Sequence, residues 1–390
     1  MTGTIKPRDA KELRQAVEWA LGEGITLDVR GGGSKIALGK PIACDQILDL
    51  SGLSGIVDYA PEELVVTLRA GTPMREVEAL LAQRNQMLAF EPPDLGPLLG
   101  QEAGQGTLVG AVSANFAGPR RLSAGAARDH LLGFSGVNGR GEAFKSGGKV
   151  MKNVTGYDLS KLLSGSWGTL AVLDEVSVKV LPAPDQTRTL ILHGLSDVDA
   201  VRAMCAAMGS PHDVSGAAHL SNKTALRIEG VGPPVEARLA GLRALLADSG
   251  ASAMEDLGTL ESRTFWREVR DVAPLGATSD EMVWKISCPP SEGPAIVARI
   301  RAQHPMAKAF YDWSGGLVWL ALPSSEDADH LRVRAALGPT GGHATLIRAP
   351  QAVRAAVPVF NPQSAALVVL SARVKQSFDP KGLFNPGRIG

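Results

Sequence analysis

DVRGGGSK, residues 28–35, sets three consecutive glycines between a short apolar strand and two hydrophilic residues. The preceding Ile25–Arg30 alternates apolar and polar side chains, as a half-buried strand does. Glycines at a strand end free the backbone for positive φ and let another group approach closely. Successive N–H groups in such a turn form a concave anion site, to which Arg30 and Lys35 add positive charge. A phosphate site and a flexible surface turn both satisfy these residues. A dinucleotide fingerprint of the G-x-G-x-x-G type is excluded, because Ile36 stands where the third glycine belongs and Gly39 and Pro41 interrupt the helix that should follow. No G-x-x-x-x-G-K-[ST] is present either. A phosphate bound here would meet a bare loop.

The rest of the chain limits what that loop can serve. Its 390 residues are enough for two or three domains, and 44% apolar with 21% charged residues is an ordinary globular composition. Forty basic residues balance forty acidic ones, which argues against nucleic acid or anionic lipid as the main partner. The start, MTGTIKPRDAKEL, has no apolar leader segment, and no apolar run is long enough for a transmembrane segment. Cys44, Cys205 and Cys288 are scattered, with no CxxC pair, which fits a reducing cytoplasm. The seven histidines share no ligand spacing, so no metal site is expected, and no G-x-S-x-G elbow suggests a hydrolase.

Three textures follow one another along the chain. Residues 1–92 read as a small unit of interleaved strands and helices, with Asp9 and Glu12 as a capping box and Thr72 as the N-cap of a second helix. From 93 to 181 come short strands and glycine turns, including a hairpin with Asn138-Gly139 as its two-residue turn and no helix expected in GQEAGQGTLVGAVSANFAGPRR, residues 100–121. The Pro-rich LPAPDQT, residues 181–187, marks a boundary. Beyond it come strand TLILHGL, helix DVDAVRAMCAAM, strands around GAAHL and ALRIEG and helix PVEARLAGLRALLADSG; further on, MVWKISC to ATLIRAP reads β-α-β-β-α-β, the split-βαβ, ferredoxin-like order. The tail DPKGLFNPGRIG has too much ordered punctuation for a frayed end. The fold class expected is α+β.

Three glycine-rich segments separated by regular structure suggest an elongated ligand such as a dinucleotide. DVRGGGSK, EPPD, GTLVGAVSANFAGPRR, SAGAARDHLLG, GGKVMKNVTGYDLSKLLSGSWGTLAVLDEVSVKVLP and DPKGLFNPGR together resemble the PCMH-type, two-subdomain FAD-binding fold of the vanillyl-alcohol oxidase family. Within that family, GPRR with VMKNVTGYDLSKL is similar to the FAD-binding subunits of bacterial glycolate oxidases (glycolate dehydrogenases). The resemblance implies an FAD domain over 1–184, a ferredoxin-like cap over 185–349 and a C-terminal segment, 350–390, that returns to the FAD domain. It further implies that Arg30, Gly31, Gly32, Gly33, Ser34 and Lys35 wrap the FAD diphosphate. Pro93, Thr107, Gly110 and Ser113 would run beside the ribityl chain and flavin. Gly125, Arg128 and Asp129 would sit on the adenosine side, with Val172 at the adenine and Asn385 at the isoalloxazine.

Two departures stand out. Val109 replaces the first glycine of the family's TIGG, and Ser34 occupies the place of the flavin-linking His of covalent members, so the FAD is expected to be non-covalent. The family's catalytic subunits carry a GDGN-x-H segment that is missing here, so no catalytic base is assigned. Arg120 and Arg121 are candidates to anchor a substrate carboxylate, a surface or subunit contact being the alternative. The function implied is oxidation of glycolate, a small 2-hydroxy acid, to glyoxylate within a complex. The partners implied are a second FAD-containing subunit and an iron–sulfur subunit, placing the chain in the cytoplasm or peripherally at the inner membrane face. A self-sufficient FAD-dependent 2-hydroxy-acid (D-lactate-type) dehydrogenase and a non-catalytic FAD-binding structural subunit are the alternatives.

Overall fold

The computed structural model describes residues 3–148, 156–276 and 280–389; the stretch 149–155 at the heart of the GGKVMKNVT motif lies outside them. The helix Ala10–Glu23 begins at Asp9, whose carboxylate accepts from Glu12 N at 2.7 Å, and ends at Gly24 in the left-handed region. Glu12 reaches back to Arg8 N rather than to Asp9. The buried Leu13, Ala16, Val17 and Ala20 make one helical stripe over a three-stranded parallel sheet, ordered Gly3–Ile5, Gln46–Asp49, Leu27–Arg30. The strand that feeds the glycine loop is therefore an edge strand. The tail covers that edge: Leu27 N donates to Leu383 O at 2.7 Å, and Asn385 N donates to Leu27 O at 2.9 Å.

A five-stranded antiparallel sheet, ordered Ile56–Ala60, Val65–Arg69, Ala171–Lys179, Leu131–Asn138, Ala143–Gly147, shares one core with the first sheet. Leu383 and Phe384 of the tail belong to that core. The last hairpin departs from the expected two-residue turn. Asn138 N donates to Glu142 O and Gly141 takes φ 78°, while the Asn138 side chain accepts from Arg140 N and Glu142 N. An Asn that bonds its own turn favours this longer loop closed by a left-handed glycine. A second departure is the helix Leu108–Ala114, capped by Thr107, inside the segment expected to have none. Its residues are small and nearly all buried, so they carry no amphipathic signal. Thr72 is not a cap; the second helix is Met74–Ala82, and the Thr72 hydroxyl donates to Arg69 O at 2.7 Å.

Besides a two-stranded ribbon of Gln86–Met87 and Leu181–Pro182, the remaining sheet has eight antiparallel strands built as two units of like topology. The first runs Gln186–His193, helix Asp197–Met208, Val214–Leu220, Lys223–Gly230, helix Gly232–Leu245, Ala253–Leu257. The second runs Met282–Ser287, helix Gly293–Arg301, Lys308–Asp312, Leu317–Leu322, helix His330–Ala335, His343–Arg348. They join edge to edge where His219 pairs with Tyr311 and Leu220 with Phe310. Every element of both units was legible in sequence except the last strand of the first. The fourth strand of the first, AMEDL, is an edge strand with Ala253, Glu255 and Asp256 exposed, so no apolar alternation marks it. Alternate residues face opposite ways: Leu190 and Leu192 meet the helices, whereas Ile191 joins Phe116, Leu95 and Trp313 in a core at the seam with the first half. Among the described residues no helix is long and apolar enough to cross a membrane.

Candidate functional site

The sheet edge, the short helix after Thr107, the turn at Trp167 and the tail enclose one cavity. Arg30, Gly31, Gly32, Gly33, Ser34, Lys35, Thr107, Gly110, Ser113, Val172 and Asn385 all line it, although they come from four separate stretches of chain. Pro93 lines an adjoining cavity that shares Ser34, Lys35 and Thr107 as walls. Gly125, Arg128 and Asp129 are not brought to either. The Asp129 carboxylate accepts from Ala126 N at 2.9 Å, and Arg128 N donates to the Asn115 side chain at 3.1 Å, so this turn is spent on its own geometry.

The three glycines have different reasons. A Cβ on Gly31 would lie 2.7 Å from Thr107 Oγ1, and one on Gly32 would lie 1.8 Å from the Gln105 carbonyl oxygen. Gly33 has open space but φ 75°, a left-handed backbone that L side chains resist. The first two are thus small so that residues 105–107 can press against the loop, and the third so that the loop can turn. Val109, which replaces a glycine of the family pattern, is buried, and its side chain serves both the cavity wall and the core.

The loop's charges also separate. Arg30 is paired with the buried Asp28 at 2.5 Å, so its guanidinium is committed inside its own strand. Lys35 is half-buried with Ser34 Oγ at 3.3 Å, and among the described residues no carboxylate stands within ion-pair distance of it. Burial pulls the Lys35 ammonium down to about 8, with the more distant Asp94 working the other way. Glycines 106 and 110 face it: a Cβ there would stand 3.9 and 3.6 Å from Lys35 Nζ. The arrangement offers one cation beside an uncluttered backbone, which suits an anionic group and no particular side chain.

Asn385 stitches the site together. It takes φ 44°, accepts from Val29 N at 2.8 Å and donates to Trp167 O at 2.8 Å. Two further residues do similar work. Arg388, buried, donates to Leu38 O at 2.7 Å and lies 4.0 Å from Asp28, fastening the tail to the loop. Trp167, placed at φ 56° and bonded to Ser113 O at 2.9 Å, walls the cavity and packs edge-on against Phe116. A tryptophan squeezed between glycines in GSWG was the available signal, and a positive φ is not readable from it.

Arg120 and Arg121 diverge. Arg120 meets Glu91 at 2.7 Å and Glu229 at 2.5 Å, and Arg227 completes the square with Glu91 at 2.9 Å. All four are largely buried at the seam. Burial pushes the Glu91 carboxyl up, but Arg227 and Arg120 overcome it and hold it below its ordinary value; the same opposition takes Glu229 down to about 2. Arg120 is therefore a structural ion, not an open carboxylate anchor. Arg121 instead lies over the Trp313 ring at 4.7 Å, and the buried Lys285 lies 5.3 Å from the same ring. Burial, then Arg121, lowers Lys285 to about 8, and burial raises the neighbouring Asp312 to about 7.

With this geometry in view, likeness to known proteins decides the family. Residues 1–147 match the family of FAD binding domains. Over 381 residues, covering 97% of both chains, the sequence is 35% identical to glycolate oxidase subunit GlcE of Escherichia coli (strain K12). The chain belongs to the GlcE family. Glycolate oxidase subunit GlcD of Bacillus subtilis (strain 168) is 29% identical over 188 residues, 48% of this chain and 38% of GlcD. Likeness to GlcE thus runs through both halves, whereas likeness to GlcD is confined to part of the chain. A crystal structure of p-cresol methylhydroxylase with substrate bound superposes with a TM-score of 0.75 over 99% of this chain and 88% of that one, at 12% identity. The PCMH-type fold that the family resemblance implied is the fold found, and this member of the GlcE family is an FAD-dependent oxidoreductase by kinship.

Proposed function

We propose that this chain binds FAD non-covalently in the glycine-loop cavity and acts as the FAD-binding subunit of a glycolate-oxidising complex. The observation that carries the reading is Lys35: a half-buried cation with no carboxylate partner among the described residues, facing the bare backbone of Gly106 and Gly110. Those residues fit a diphosphate. The backbone of Gly31–Ser34 and Lys35 would hold it, Thr107, Gly110, Ser113 and Pro93 would flank the ribityl chain, and Val172 and Asn385 would take the ring systems. Bound FAD would supply the hydride acceptor for a 2-hydroxy acid. Ser34 is buried with its hydroxyl toward Lys35 and offers no imidazole for a covalent link.

Whole-chain likeness to a glycolate oxidase subunit supports assembly with a second FAD-containing subunit and an iron–sulfur subunit, in the cytoplasm or at the inner membrane face. The helix Ala365–Phe378 offers a surface for such a contact: none of its residues is buried, and Leu367, Val368, Val369 and Leu370 are each more than half exposed. Arg120 being spent on Glu91 and Glu229, only Arg121 is left of the two arginines offered as carboxylate anchors, and it lies over Trp313 as a guanidinium, which is no base for the hydroxyl proton. The isolated chain is therefore expected to hold FAD yet be reduced by glycolate slowly or not at all, full activity requiring its partner flavoprotein. Anaerobic mixing of the purified chain with glycolate tests this. A flavin band that persists for minutes is expected; rapid, complete bleaching would make the chain a self-sufficient dehydrogenase.

A further inference from the structure

A second cavity, of about 280 Å³, opens at the seam between the halves of the molecule, away from the glycine loop. One wall comes from the helix Met74–Ala82 and the segment 86–92; the other is the helix Thr259–Arg270. Five guanidiniums line it, those of Arg120, Arg227, Arg263, Arg267 and Arg270, against the carboxylates of Glu78 and Glu91. At its inner end the charges are settled. Arg120 and Arg227 share Glu91, with Glu229 behind them, and Arg270 is bonded through two nitrogens to Asp271 at 2.8 and 2.9 Å.

At its mouth they are not. Arg263 donates to Pro184 O at 2.8 Å and has Thr187 Oγ1 at 3.5 Å, so it is held in place by neutral groups only. The Arg267 guanidinium makes no hydrogen bond and stands in no ion pair among the described residues. The two stand one helical turn apart, where like charges repel. The helix could have diluted that repulsion, since it also carries Glu261 and Glu268. Yet Glu261 caps its own N-terminus, and neither glutamate lines the cavity. Trp266, between the arginines in sequence, packs under Arg227 at 4.6 Å and keeps this face of the helix turned to the seam. Among the described residues the other lining carboxylate is Glu78, which stands 3.8 Å from Arg270, feels the charge of Arg267 as well, and is pushed by burial toward its neutral form.

A half-open cleft with a surplus of forked donors, held rigid at its base and with two exposed arginines at its rim, has the makings of an anion site. We propose that this cavity binds a small organic dianion of the dicarboxylate class, one carboxylate at Arg267 and the other at Arg263. Such a ligand would sit on the helix Thr259–Arg270 and face the opposite wall at 86–92. It would also lie one partition from the flavin side, because the cavity lined by Pro93 and Lys35 shares Glu78, Pro92 and Arg270 with this one. The proposal does not depend on what the glycine loop holds.

Malonate is a suitable probe, applied to the full chain saturated with FAD so that the glycine-loop cavity is filled. Thermal unfolding is followed against malonate concentration, with sodium chloride at matched ionic strength, acetate and inorganic phosphate as controls. Malonate is expected to raise the melting temperature saturably, beyond all three controls. Arg263→Gln and Arg267→Gln should each weaken the apparent affinity about tenfold, the loss of one charge-assisted pair, and the double variant should abolish the shift. Arg267→Lys should retain part of it. A far-UV circular dichroism spectrum unchanged across the variants shows that they fold. The proposal is overturned if malonate does no more than chloride, if the double variant keeps the shift, or if phosphate binds and malonate does not.

Discussion

The glycine-loop cavity and the arginine seam solve opposite problems in one molecule. The first is made of backbone: three glycines, a capped seven-residue helix and a tail, with Lys35 as the single uncommitted charge. The second is made of long side chains, four of them locked in the Arg120–Glu91–Arg227–Glu229 square. A backbone cradle is exact only where side chains are absent, so its sensitivity lies in added atoms. The seam is exact only where charges are matched, so its sensitivity lies in removed ones. Substitutions should therefore fail in opposite directions at the two places.

The largest effect is expected at the seam. Arg227→Met leaves Glu91 and Glu229 with one cation between them, and stranding a buried charge costs about 3–5 kcal/mol. Chemical denaturation should show that loss while flavin content per folded chain stays at the wild-type level. A matching pH dependence follows from Glu229, held at about 2 against an ordinary 4.5. Its folded value is depressed, so its contribution is complete above 4.5 and disappears as pH falls toward 2. Wild-type stability should drop across that window, and Arg227→Met should show a shallower drop. An equal slope in both would break the comparison.

Next come the glycines. Gly32→Val drives a Cβ into the Gln105 carbonyl, so overpacking of about 1–3 kcal/mol and loss of the flavin are expected together. Gly33→Ala meets only a backbone preference of about 1 kcal/mol and should keep most of its FAD. If the two behaved alike in a flavin titration, the distinct reasons given for adjacent glycines would be wrong. The smallest stability effect, and the most informative for binding, belongs to Lys35→Met. It should fold normally but bind FAD more weakly by about 1.5–3 kcal/mol, the range for a hydrogen bond to a charged group. In the wild type a bound anion keeps Lys35 charged, so FAD affinity should fall as pH rises through about 8, and the variant should lose that slope.

The sequence displayed the cradle better than the seam for a physical reason. Glycine is conspicuous, and Gly31 to Gly33 together with the NPGR tail read directly as backbone that must turn or approach. The helix Leu108–Ala114 was hidden because a fully buried helix has no polar face to give it a period. Arg30 and Lys35 look equivalent in sequence; only the fold shows that Asp28 takes one and leaves the other. Arg120 pairs with a residue 109 positions away and Arg227 with one 136 away, separations at which no local pattern operates. The tail was legible as ordered but not as core: Leu383 and Phe384 are buried in the first domain's interior, so deleting 380–390 should destabilise that half of the chain as well as its flavin site.

The central claim is that a bare loop and one lysine hold FAD without a covalent bond, and acid precipitation tests it most directly. The purified chain should show the twin visible bands of oxidised flavin, and acid should release all of that absorbance into the supernatant, as FAD, from a colourless pellet. Yellow colour retained in the washed pellet would show a covalent flavin, and a chain that purifies colourless and takes up no added FAD would contradict the assignment of the cavity itself.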